Sequence, residues 1–105
     1  MIYIFWTCRS LEEGKTIARG LLEARLIACA SFIPRIDSLY IWEGKLEETS
    51  ETKAILKTDA RHFEAVSQYI LSHCSYEIPE ICAIPIELGH PPYLKWVSEA
   101  VISRS

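Results

Sequence analysis

A hairpin sits at the centre of this 105-residue chain and limits its topology. Leu26 to Ile33 is mostly apolar, Ile36 to Trp42 resumes the pattern after Pro34, and a further strand-like run extends from Leu46 to Lys57. Glu43-Gly44-Lys45 between the two arms reads as a hairpin turn. A proline within a strand pattern marks an edge or a bulge, so the first arm is expected as one long, bent strand. The middle of the second arm, Glu47 to Thr52, is polar on both faces and is expected to project into solvent or lie against another polar surface.

A strand and a helix precede this hairpin. Ile2 to Trp6 is a continuous apolar run, too short for a helix and suited to a strand covered on both faces. Ser10 offers an N-cap oxygen, and Glu12 and Glu13 put carboxylates in the first turn, where the helix dipole favours them. Ile17, Ala18, Leu21, Leu22 and Ala24 keep the spacing of an amphipathic helix to about Arg25. After the hairpin, Thr58 or Asp59 can cap a second helix with the stripe Phe63, Val66, Ile70 and Cys74, ending before Pro79. Ile81 to Leu88 reads as a fourth strand, and Pro85 inside it suggests an edge or an irregular pairing. Gly89 and Pro91-Pro92 break the chain, and a last helix starts at about Pro92.

The order β-α-β-β-α-β-α is that of an α+β, ferredoxin-like domain with an antiparallel sheet and one added C-terminal helix, spanning residues 1–105. Right-handed crossovers place both main helices on one face of the sheet. The other face needs a cover. Tyr40, Trp42, Tyr93 and Trp96 exceed what one small domain requires, so neighbouring subunits are expected to supply it.

The formal net charge of −3, with basic residues scattered, argues against nucleic acid as a partner. No apolar run approaches the roughly 18 residues of a bilayer span, so a soluble protein with no membrane partner is expected. The apolar start lacks a basic flank and a cleavage site, which favours a buried strand over a signal peptide. Cys8, Cys29, Cys74 and Cys82 form no Cys-x-x-Cys pair and read as reduced thiols of a cytoplasmic protein.

Three stretches together resemble the CutA divalent-cation-tolerance family. They are Leu26 to Ala30 running on through Pro34 to Ser38-Leu39-Tyr40-Ile41-Trp42-Glu43-Gly44; Glu51 followed by Ile55-Leu56-Lys57-Thr58; and Tyr76-Glu77-Ile78-Pro79-Glu80-Ile81 followed by Pro85-Ile86, Gly89 and Tyr93-Leu94-Lys95-Trp96. The resemblance covers nearly the whole chain. It implies a tight homotrimer, architecturally related to the PII-type signalling proteins, and a link to tolerance of divalent metals, copper above all. The chain departs from the family in having Cys74-Ser75-Tyr76 where a His-Pro-Tyr triplet is common. It also has Trp6 where some relatives carry a cysteine.

Two constellations are candidates for binding. His73, Cys74 and Glu80 combine donors that suit copper or zinc. Neighbours on a helix point about 100° apart, so His73 and Cys74 can share an ion only where the helix has ended. Alternatively, Tyr76, Pro79 and Glu80 floor a pocket reached by Glu51, Lys57 and Tyr40 or Trp42, suited to a small polar ligand. No phosphate loop, Cys-His nucleophile or metalloprotease motif is present, and a binding protein rather than an enzyme is expected. The reading from sequence is therefore a metal-binding trimer tied to copper tolerance, with a PII-like small-ligand or scaffold trimer as the alternative.

Overall fold

The computed structural model describes residues 1–103. The strands are β1 (Ile2–Cys8), β2 (Cys29–Trp42), β3 (Lys45–Thr58) and β4 (Ile81–Pro85), and the helices are α1 (Leu11–Glu23), α2 (Phe63–His73) and α3 (Pro91–Ala100). They form a four-stranded sheet in the order β2-β3-β1-β4 with every pair antiparallel. This is the expected ferredoxin-like arrangement.

Alternation along the strands separates the two faces. Ile4, Trp6, Ala54 and Leu56 point to one side, where Ile17 and Leu21 of α1 and Val66 and Ile70 of α2 close over them. Burying each Leu or Ile there contributes about 1.5–3 kcal/mol. Ser10 caps α1 as expected, its Oγ accepting from the Glu13 amide at 3.1 Å. Asp59 caps a short 3-10 turn ahead of α2 by accepting from the Arg61 amide.

Helix α1 ends in a left-handed residue, Arg25, at φ 57°. The Arg25 amide donates to the Leu22 carbonyl and the Leu26 amide to that of Leu21, a pairing in which glycine usually takes the left-handed place. Arginine occupies it because its side chain is used. Nε donates to the Ala100 carbonyl and Nη2 to that of Glu99, while the Arg25 carbonyl accepts from the Ile102 amide. The C-terminus of α3 is thereby tied to the end of α1.

The hairpin is as long as the sequence suggests. Glu43 and Gly44 both have positive φ, at 50° and 79°, the conformation of a tight two-residue turn whose twist suits the strands it joins. The pairing of β2 with β3 shifts register between Ile33 and Ile36, around Pro34. The Thr52 hydroxyl donates to the Pro34 carbonyl at 2.8 Å inside that bulge.

Three strand boundaries differ from expectation: β2 begins at Cys29 and not at Leu26, whose amide is still bonded to the Leu21 carbonyl at the end of α1. Strand β1 runs to Cys8, past Trp6, because its end pairs with Lys53 and Thr52 of the long β3. Strand β4 stops at Pro85, short of Leu88: Pro85 has no N–H to donate, and only the Ile86 amide makes one more bond, to the Met1 carbonyl.

Candidate functional site

Beyond the reach of α1 and α2, the far half of the β2–β3 hairpin stands free of the core. On one face of it, Glu47 lies opposite Tyr40, Thr49 opposite Ser38, and Glu51 two positions further along β3. The loop between α2 and β4 folds against this face, and the two enclose an open cleft of about 570 Å³. Tyr40, Trp42 and Tyr76 give it aromatic walls, Ile78 and Pro79 an apolar floor, and Glu47, Glu51, Glu77 and Glu80 its charge. Among the described residues no lysine or arginine lines it.

Two of the four carboxylates are held in place. Glu80 accepts from the Thr7 hydroxyl at 2.6 Å and from the Lys53 ammonium, and Thr7 and Lys53 lie directly opposite each other across β1 and β3. Burial works against ionisation of Glu80, but these hydrogen bonds and the lysine charge outweigh it and hold the carboxyl below its ordinary value. Glu51 accepts from the Tyr76 hydroxyl at 2.7 Å. Burial, the bond to Glu51 and the Glu51 charge all push the Tyr76 phenol well above its usual range, so it stays a donor.

The structure gives each of the three residues expected to ligate copper a different partner. Helix α2 does end at His73, but its ring turns back, donating from Nδ1 to the Tyr69 carbonyl at 2.8 Å and stacking on the Tyr69 ring. The Cys74 thiol donates to the Tyr76 carbonyl at 3.4 Å, and burial raises its pKa, disfavouring the thiolate that a metal requires. Glu80 is engaged by Lys53. Among the described residues no three His, Cys, Asp or Glu side chains gather into a group that would hold a metal ion. The donor set named from sequence does not fit a copper centre within one subunit.

The pocket reading fares differently. Tyr76, Pro79, Glu80, Glu51, Tyr40 and Trp42 all line the cleft, as expected. Lys57 does not. It lies six residues from Glu51 along β3, about 20 Å at strand rise, and pairs with Cys29 and Tyr3 at the other end of the sheet. Glu47 and Lys53 were not singled out, although their even spacing from Glu51 puts all three on one face of the strand. Thr7 gave no signal in sequence, since its role depends on strand pairing.

The sequence model of the CutA1 divalent ion tolerance protein matches residues 2–100. The chain belongs to this family. It is 46% identical over 95 residues to a CutA homologue of Xenopus laevis, covering 90% of this chain and 63% of the relative. It is 43% identical over 99 residues to the divalent-cation tolerance protein CutA of Archaeoglobus fulgidus, covering 94% and 96%. The vertebrate relatives are longer, so the chain spans somewhat over half of their length. A solved structure from Archaeoglobus fulgidus, described as a periplasmic divalent cation tolerance protein, superposes with a TM-score of 0.93 at 42% identity, covering 97% of this chain and 100% of the other. The family is named for ion tolerance and not for an enzymatic reaction.

Proposed function

We propose that this chain acts in divalent-cation tolerance as a homotrimer in the cytoplasm, binding rather than catalysing, and that cations enter at the cleft between the hairpin and the Tyr76–Glu80 loop. One observation carries the reading: four glutamates give the cleft its negative charge, and Lys53 is the only lysine or arginine that pairs with any of them among the described residues, so the cleft attracts cations although its carboxylates form no closed metal cage within one subunit and a neighbouring subunit would have to complete one. Oxygen donors of this kind suit hard divalent ions better than copper, which prefers imidazole and thiolate.

Assembly is supported by what one subunit leaves uncovered. Ile41 and Leu46 are 67% and 73% exposed on the other face of the free hairpin, directly opposite each other. Strands β2 and β4 form the two open edges of the sheet. Two different edges meeting head to tail generate a ring when the rotation closes. The four free cysteines support a reducing compartment.

The test is light scattering behind size exclusion, followed by calorimetric titration with Mn, Zn and Cu. A trimer whose Mn or Zn binding weakens at least tenfold in Glu47→Gln/Glu51→Gln and is unchanged in His73→Ala/Cys74→Ala is expected. A monomer, or binding lost only in the second variant, overturns the reading.

A second reading, a PII-like trimer for a small organic ligand, is favoured by the size of the cleft and its three aromatic walls. It requires melting-temperature shifts with organic cations that equal concentrations of metal do not produce.

A further inference from the structure

Away from the cleft, at the opposite end of the sheet, Lys57 is 8% exposed and has no carboxylate partner among the described residues. Buried ammonium groups are normally paired. Here the ammonium donates to the Ser31 hydroxyl and lies 3.8 Å from Cys29 Sγ and 5.8 Å from the centre of the Tyr3 ring. Cys29 and Lys57 are direct partners across β2 and β3, so the strand ladder itself fixes this approach. Cys29 is half-buried, within reach of an oxidant as small as water, whereas Cys8 is shut in the core.

We propose that Cys29 and Lys57 are joined by peroxide through a single bridging oxygen, Sγ–O–Nζ. One peroxide oxidises the Cys29 thiol to a sulfenic acid: an S–O bond forms, the O–O bond breaks, and one water leaves. The Lys57 ammonium releases one proton to solvent, and a second peroxide converts the amine so formed to a hydroxylamine in the same way, with a second water. Condensation then joins sulfur to the hydroxylamine oxygen and expels the sulfenic hydroxyl as a third water. Sulfur and nitrogen each lose two electrons, and the two peroxides accept them. The bridge removes the Lys57 charge and staples β2 to β3 beside the chain entry to the hairpin. A redox-active divalent ion generates peroxide from oxygen in a reducing compartment, so the bridge would record exposure to such an ion without ligating it.

The experiment is intact and peptide mass spectrometry of the full chain in a Cys74→Ser/Cys82→Ser background, before and after graded hydrogen peroxide. The expected product is heavier by one oxygen less two hydrogens, is not cut by trypsin after Lys57, and returns to the starting mass with dithiothreitol. Both Cys29→Ser and Lys57→Arg should abolish it, the latter keeping the positive charge, with sheet content checked by circular dichroism. A product heavier by whole oxygen atoms that persists in Lys57→Arg, a disulfide between chains, or no change at peroxide levels that oxidise a free thiol peptide each overturn the proposal.

Discussion

The Tyr76 hydroxyl donates to Glu51 Oε2 at 2.7 Å and so ties the two walls of the cleft together, joining the loop after α2 to β3 across 25 positions of sequence. The bond is charge-assisted and partly shielded, and such bonds contribute about 1–2 kcal/mol net. Tyr76→Phe keeps the ring and removes only the donor. The expected result is a urea midpoint lowered by an amount equivalent to about 1 kcal/mol with an unchanged slope. An unchanged midpoint would mean that water replaces the phenol at no cost.

The acid limb of stability should carry the signature of Glu80. Its carboxyl is held below the ordinary value in the fold, so the unfolded chain takes up its proton first as pH falls. The stabilisation is complete above the unfolded value, about 4.3, and is lost as pH falls through the lower folded value. Glu80→Gln should therefore lower the midpoint at pH 7 and flatten its decline as pH falls below about 4.3. Parallel curves for the two proteins would show that the Thr7 and Lys53 contacts contribute nothing.

The residues expected to line a pocket were legible because the hairpin arms and the Tyr76–Glu80 turn each announce themselves locally. Lys57 and Thr7 were misplaced or missed for one reason: their neighbours are set by register between strands that are distant in sequence, which periodicity within a strand does not encode. His73, Cys74 and Glu80 each take a partner that the sequence does not announce. A histidine in the last turn of a helix has a carbonyl four residues back within reach, and the Tyr69 ring beside it adds a stacking surface. The early end of β4 was visible in principle, since a proline removes a ladder donor wherever it falls.

Arg25 offers a test that separates backbone from side chain. Glycine at its left-handed position would relieve about 1 kcal/mol of strain, whereas alanine keeps the strain, and both lose the bonds to the Ala100 and Glu99 carbonyls. Arg25→Ala should thus be less stable than Arg25→Gly by about 1 kcal/mol, with Arg25→Gly near the parent. Amide exchange at the end of α3 should speed up in both. Equal stability of the two variants would refute the strain.

Gly14 should resist the substitution that most often stabilises a helix. Alanine is favoured over glycine by up to about 1 kcal/mol in a helix interior. At Gly14, however, a Cβ would meet Cys8 Sγ at 2.9 Å and the Phe32 ring at 3.0 Å. Cys8 is 1% exposed on β1 and is fixed by pairing with Thr52, so it has little room to retreat. Overpacking of this kind costs about 1–3 kcal/mol, and Gly14→Ala is expected to destabilise by about 1 kcal/mol net. Cys8→Ala removes the obstructing sulfur, leaving Phe32 as the remaining close neighbour. In the double variant the Gly14 substitution should cost less than it does alone, a positive coupling read from denaturant midpoints of the four proteins. Burial, with the Glu13 and Cys74 charges adding to it, pushes the Cys8 thiol up to about 12, so it should resist alkylation in the folded parent. If Gly14→Ala alone forces β1 away from α1, that protection falls, and the Cys8 alkylation rate reports the same contact independently of stability.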